Sequence, residues 1–144
     1  MIEYQKILDK NMLNVLKDIL INIKDNGLSS NNHLYITFLT NHKNNELPNW
    51  LKQKYPEEMT IVIQYEYSDL EINENNFLIS LSFDDIKTHL KIDYNSIVSF
   101  ADPSENFGLI FQKNKIQKKL KKNLENKKEK NNNNVINFSS YKKN

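Results

Sequence analysis

The chain has no cysteine and no arginine, and only two glycines, three prolines and one tryptophan in 144 residues. Without cysteine there is neither a disulfide framework nor a thiolate metal site. Without arginine, the planar fork that reads guanine and grips phosphate in bidentate fashion is missing. That argues against a sequence-specific nucleic-acid reader, although lysine-for-arginine usage also fits a biased genome base composition. No apolar run reaches the eighteen or so residues of a membrane span. Met1-Ile2-Glu3-Tyr4-Gln5-Lys6 lacks a basic segment followed by an apolar one, so no signal peptide is expected. A cytoplasmic protein without membrane contact is the expectation.

Catalytic constellations are also missing. There is no Gly-rich phosphate loop and no Gly-x-Ser-x-Gly elbow. His33, His42 and His89 stand at unrelated places without metal-ligand spacing, and read as solvated or hydrogen-bonded side chains. The adjacent acids Glu57-Glu58 and Asp84-Asp85 read as solvated turn charge rather than as acid–base pairs. No enzyme, no metal and no cofactor is expected; residue types alone suggest a binding module.

What the chain does have is polarity along its length. Residues 1–112 hold nine lysines against sixteen carboxylates, a net charge of −7, whereas residues 113–144 hold eleven lysines and two glutamates, a net charge of +9. Residues 1–112 make one domain with room for a single modest core. Residues 113–134 are almost entirely Lys, Asn, Glu and Gln, a composition that cannot bury enough apolar surface to fold, and read as a flexible linker within a disordered tail. Apolar and aromatic residues return in Val135-Ile136-Asn137-Phe138-Ser139-Ser140-Tyr141-Lys142-Lys143-Asn144. Such an ending reads as a tethered docking peptide; the alternative is a terminal strand packing back on the domain.

Within the domain the hydrophobic period is helical over residues 4–25, with Tyr4, Ile7, Leu8, Met12, Val15, Leu16, Ile19, Leu20 and Ile23 on one broad face. Ile2, Leu13 and Ile21 spill beyond it, as in a helix packed on two surfaces; burial and a dimer contact both fit. Asn26-Gly27 ends the helix, with Gly27 suited to a left-handed C′ position. The period then becomes two: strands are expected at 34–39, 59–67, 77–83, 86–94, 97–101 and 107–111, with turns at 73–76 and at Asp84-Asp85 and a helical turn before Pro56. One helix followed by about six short-linked strands predicts an α+β fold, the N-terminal helix packed on a small antiparallel β-sandwich or curled sheet.

Several blocks carry a resemblance. They are Asn32-His33-Leu34-Tyr35-Ile36-Thr37-Phe38, Tyr55-Pro56-Glu57-Glu58-Met59-Thr60-Ile61-Val62-Ile63-Gln64, Ser80-Leu81-Ser82-Phe83, and Phe100-Ala101-Asp102-Pro103-Ser104 with Phe107-Gly108-Leu109-Ile110-Phe111. In that order and spacing the chain resembles the SspB family in its alphaproteobacterial form, over about residues 4–111 and again at the tail. The resemblance implies an adaptor that binds the ssrA degradation tag of polypeptides from stalled ribosomes and delivers them to the ClpXP protease. It implies a homodimer through the N-terminal helix, a peptide groove on each protomer, and a C-terminal motif that docks on the N-terminal domain of ClpX. Carried onto this sequence, the tag-binding candidates are Gln64, Phe83, Phe100, Ala101, Phe107 and Gly108; Phe83 and Phe100 fit a core role equally. The ClpX-docking candidates are Val135, Ile136, Phe138, Tyr141 and Lys142, where the ending is similar to the family's Val-Val-Ser-Leu-Asp-Ala-Phe-Arg-Lys with Ser139 at its acidic position. The chain departs from the family at Tyr67-Ser68-Asp69-Leu70, usually Phe-Trp-Asp-Leu, and at Asp84-Asp85, usually a glycine-containing turn.

Tethering explains how such a protein works without a catalytic residue. A flexible 22-residue spacer has a root-mean-square span of about 25 Å and an extended limit of around 75 Å, and a linker of that kind raises avidity by roughly 10²–10⁴. The rival class is an RNA-binding module that uses the lysine-rich tail with a small antiparallel sheet.

Overall fold

The computed structural model describes residues 1–111. The linker 113–134 and the docking segment 135–144 lie outside the described residues. Helix α1 (Tyr4–Asn26) is followed by β1 (Leu34–Leu39), a short helix α2 (Asn49–Lys54), then β2 (Glu58–Ile63), β3 (Ser68–Ile72), β4 (Asn76–Phe83), β5 (Ile86–Asp93), β6 (Ile97–Asp102) and β7 (Phe107–Ile110). The strands form two open antiparallel sheets, one ordered β2-β1-β6-β7 and the other β3-β4-β5. The expected α+β class and the N-terminal helix are what the structure has. Among the described residues no helix is long and apolar enough to cross a membrane.

Alternation puts one face of each sheet in a common core. Ile36 and Phe38 of β1, Met59, Ile61 and Ile63 of β2, and Phe100 of β6 are buried together with Phe77, Ile79 and Leu81 of β4 and Leu90 and Ile92 of β5. Helix α1 joins this core through buried Leu16, Leu20 and Ile23, with Met12, Leu13 and Ile19 packed partly buried beside them. The N-terminal half of its apolar stripe, Tyr4, Ile7 and Leu8, is more than half exposed. Gly27 closes the helix, its N–H donating to the Ile23 carbonyl at 2.7 Å. Its φ of +77° is paired with a ψ of −178°, so it adopts an extended positive-φ conformation open to glycine rather than the expected left-handed helical one.

One expected strand is corrected. The alternation over 59–67 does not make a single strand: β2 ends at Ile63, and a separate strand, β3, follows at Ser68. The reason is the ladder. β1 begins at Leu34, directly opposite Ile63, so β1 offers no residue for those beyond Ile63 to pair with. Tyr65, which continued alternation would bury, is 67% exposed. The chain instead crosses from one sheet to the other at 64–67, and Asp69 with its positive φ bends the entry to β3.

The β4–β5 hairpin runs without a register break from Asn76 opposite Asp93 to Phe83 opposite Ile86. Asp84 and Asp85 both have positive φ, 53° and 66°, as a two-residue primed turn demands. The segment after β1 is held against the far end of β5 by a buried polar set. Asn45 donates from Nδ2 to the Leu39 carbonyl and to Ser96 Oγ, each at 3.0 Å, and accepts the Asp93 N–H at 2.7 Å.

Candidate peptide-binding site

Two shallow grooves mark the domain. The first lies between the C-terminal half of α1 and the β6–β7 edge, floored by Ile19, Ile23, Leu34, Phe100 and Phe107, with a volume of about 300 Å³. Asp102 stands at its rim, fixed by Asn32, whose Nδ2 donates to Oδ2 at 2.9 Å, and by the Ser104 hydroxyl, which donates to Oδ1 at 2.6 Å. The second, about 360 Å³, runs between the segment leading into α2 and the outer edge of β5; Leu47, Pro48, Trp50 and Ile86 supply its apolar wall. Trp50 meets Phe83 edge-to-face with ring centroids 6.4 Å apart. This arrangement makes a rigid aromatic corner.

The six expected tag-binding residues do not converge on one cavity. Phe100 is buried in the core while its ring also floors the first groove, where Phe107, 43% exposed, meets it edge-to-face at 6.2 Å. Ala101 and Gly108 are partners across β6 and β7 on the opposite, outward face of the sheet, alongside Tyr35. Close approach is what this position needs: a Cβ on Gly108 would come within 3.3 Å of the Phe100 carbonyl oxygen. Phe83 is half-buried beside Trp50, next to the second groove. Gln64 is exposed in the crossing segment just past β2 and lines neither groove.

The sequence analysis assigns no binding role to Leu47, Pro48 and Trp50, which it leaves in the stretch leading to the helical turn before Pro56. Their signal is the lone tryptophan two residues after a proline, which places a large apolar surface where the chain cannot extend a strand.

A polar cluster borders the second groove. Ser80 Oγ and His89 Nδ1 are 2.5 Å apart, Asp69 Oδ2 lies 4.0 Å from the same nitrogen, and Lys87 Nζ lies 3.5 Å from Asp69. A hydrogen bond from Ser80, then the Lys87 ammonium, hold the Asp69 carboxyl below the usual carboxylate range. Serine, histidine and aspartate meet here without forming a relay. Both neighbours address the same ring nitrogen, so none orients the other for proton transfer. Among the described residues no group of three or more His, Asp and Glu side chains could hold a metal ion.

The described residues thus form an α+β domain of two open antiparallel sheets, with two shallow grooves and a helix whose first turns expose apolar side chains. The sequence profile of SspB, Stringent starvation protein B, matches residues 7–143, and the chain belongs to that family. Proteins of the family are in general adaptors for the ClpXP protease, not enzymes. Comparison with curated proteins gives no match.

Proposed function

We propose that this chain is a cytoplasmic proteolysis adaptor that binds ssrA-type degradation tags through its folded domain and brings tagged polypeptides to ClpXP by docking residues 135–144 on the N-terminal domain of ClpX. The observation that carries the reading is the reach of the family match. It runs over residues 7–143, and so covers the acidic grooved domain and the basic tail together. In this reading Gln64 supplies an amide that both donates to and accepts from an extended peptide backbone. Phe83 lends an apolar wall at one groove; Phe100 and Phe107 lend another, with Ala101 and Gly108 on the neighbouring outward face. Val135, Ile136, Phe138, Tyr141 and Lys142 make the ClpX contact. Physical tethering replaces a bimolecular encounter of cargo and unfoldase with an intramolecular one.

The same reading makes the adaptor a homodimer through α1. The support is the exposed end of its apolar stripe, where Ile7 is 54% and Leu8 52% exposed. Ile7→Glu with Leu8→Glu is expected to convert a dimer to a folded monomer in sedimentation equilibrium; an unchanged mass would remove α1 as the interface.

The deciding experiment is binding of a fluorescent ssrA-tag peptide to the full-length protein, compared with a scrambled peptide and with Gln64→Ala. Saturable binding that prefers the tag and weakens in the variant is expected. Deleting 135–144 should leave that binding intact and abolish ClpXP degradation of a tagged substrate. Delivery by the truncated protein would refute the tether.

A further inference from the structure

Asn26-Gly27 is the one place in the chain where asparagine precedes glycine, and both residues are exposed at the end of α1. That order matters chemically. The backbone nitrogen that follows an asparagine can attack the carbon of its side-chain amide, and glycine, having no Cβ, hinders the approach least. The space around Gly27 is open as well: a Cβ placed there would meet no atom within 4 Å.

What holds the reaction back is a single hydrogen bond. Gly27 N–H donates to the Ile23 carbonyl at 2.7 Å and closes the last turn of α1. The acceptor is anchored on the domain, because the Tyr67 hydroxyl donates to the same carbonyl at 3.4 Å and Ile23 is 4% exposed. While the bond stands, the nitrogen keeps its proton and cannot turn toward the Asn26 side chain. Helix ends open far more readily than cores, so the nucleophile is withheld by a local equilibrium and not by the stability of the whole domain.

We propose that Asn26 is a deamidation site gated by opening of the last turn of α1, and that its modification makes the domain age. This goes beyond the tag-binding reading and does not depend on it. On opening, the Gly27 nitrogen bonds to the Asn26 side-chain carbon, and Nδ2 leaves as ammonia, carrying off the backbone proton. The cyclic imide that remains is opened by water at one carbonyl or the other, giving aspartate, or isoaspartate with the main chain routed through the side chain. Either product sets a carboxylate beside Asp25 at the negative end of the helix, where it is unfavourable. Isoaspartate also lengthens the main chain immediately before Gly27, whose positive φ sets the path from α1 toward β1. Ile23, Gly27 and Leu28 line the first groove, so the damage falls on its wall.

The test incubates the full-length protein in mildly alkaline buffer, with and without urea. Mass spectrometry of proteolytic peptides locates deamidated asparagine, and enzymatic methyl transfer measures isoaspartate. In urea, Asn26 is expected to react ahead of every other asparagine in residues 1–111. Without urea its rate should fall roughly tenfold or more, the factor by which the turn is closed, and it should track hydrogen exchange of the Gly27 amide as urea is raised below the unfolding transition. Aged protein should melt at a lower temperature than fresh protein. Aged Asn26→Gln should not, because its longer side chain would have to close a larger, less favoured ring. Equal rates with and without urea would overturn the gate. Deamidation in urea no faster at Asn26 than at the other asparagines would remove the site, and an unchanged melting temperature after modification would overturn the ageing.

Discussion

Replacing Asn45 by alanine tests how the groove wall is held. Asn45 is 5% exposed, in the segment between β1 and α2. Its amide stands in for a missing stretch of strand: Oδ1 accepts from Asp93 N–H, and Nδ2 donates to the Leu39 carbonyl and Ser96 Oγ. Ser96 keeps a second partner in the variant, since its hydroxyl also donates to the Asp93 carbonyl at 2.8 Å. The Asp93 N–H loses its Asn45 partner, whereas the Leu39 carbonyl still accepts from His42 N–H at 3.3 Å. One orphaned interior donor makes about 1–3 kcal/mol the expected total. With a urea slope of about 1.5 kcal/mol/M for a domain of this size, the midpoint falls by about 0.7–2 M at unchanged slope. Asn45→Asp separates the roles. It keeps the acceptor for Asp93 N–H but loses both donors and sets a buried carboxylate beside Asp93. Burial and that like charge raise the new acid's pKa in the folded state, so the variant's deficit relative to the parent should grow as pH rises from 4 to 7. A loss below about 0.5 kcal/mol for Asn45→Ala would show that water replaces the amide freely, and that the strand-like role assigned to this side chain is wrong.

The remaining predictions concern backbone strain and charge. Asp85→Gly relieves a positive-φ aspartate at the second turn position, so thermal melting should show about 0.5–1 kcal/mol of added stability; a loss would mean that the Asp85 side chain itself supports the hairpin. Gly27→Ala meets no atom within 4 Å, yet its backbone conformation is closed to a Cβ, and about 1–3 kcal/mol of destabilisation in urea is expected from strain alone. The depressed Asp69 carboxyl gives stability that is present above its unfolded pKa and lost as pH falls through the folded one. Ser80→Ala and Lys87→Met should each move the Asp69 carboxyl titration upward by NMR, Ser80→Ala the more, and an unmoved titration in both would remove the cluster as its cause.

Much of the fold was legible because period two and period 3.6 are written residue by residue. The bounds of β1 and the body of α1 follow directly from where apolar residues recur. The Asp84-Asp85 pair marks its turn because aspartate tolerates positive φ better than most residues. Period alone failed at β2 and β3, since alternation from Met59 to Tyr67 is continuous in sequence. What cuts it is the starting residue of β1, a fact about a partner strand and not about the segment itself. The helix stripe failed in the same way: Tyr4, Ile7 and Leu8 have the right spacing for a core, yet the core meets α1 only from Met12 onward.

The candidate site was less legible, because a groove is made by what a strand is denied. Period two locates β5 and even says that His89 faces outward, but it cannot say which edge of β5 is uncovered. That depends on Asn45 and Glu46, more than forty residues earlier, landing opposite Asp93 and Lys91. Pro48 was the one local clue. A proline two residues after a bridged position ends the pairing at a fixed point, and Trp50 follows as the apolar surface that faces the gap. Phe83 belongs to the picture for a similar reason. Its alternation marks it as core, but it sits at the hairpin tip where the sheet runs out, so its ring turns to Trp50 and becomes wall. Residues at the ends of ladders thus line the groove while the residues between them carry the core. If tag peptides use this groove, their binding, read by fluorescence anisotropy, should be far more sensitive to Trp50→Ala than to a volume-conserving change at buried Ile79, and equal sensitivity would take the groove out of the site.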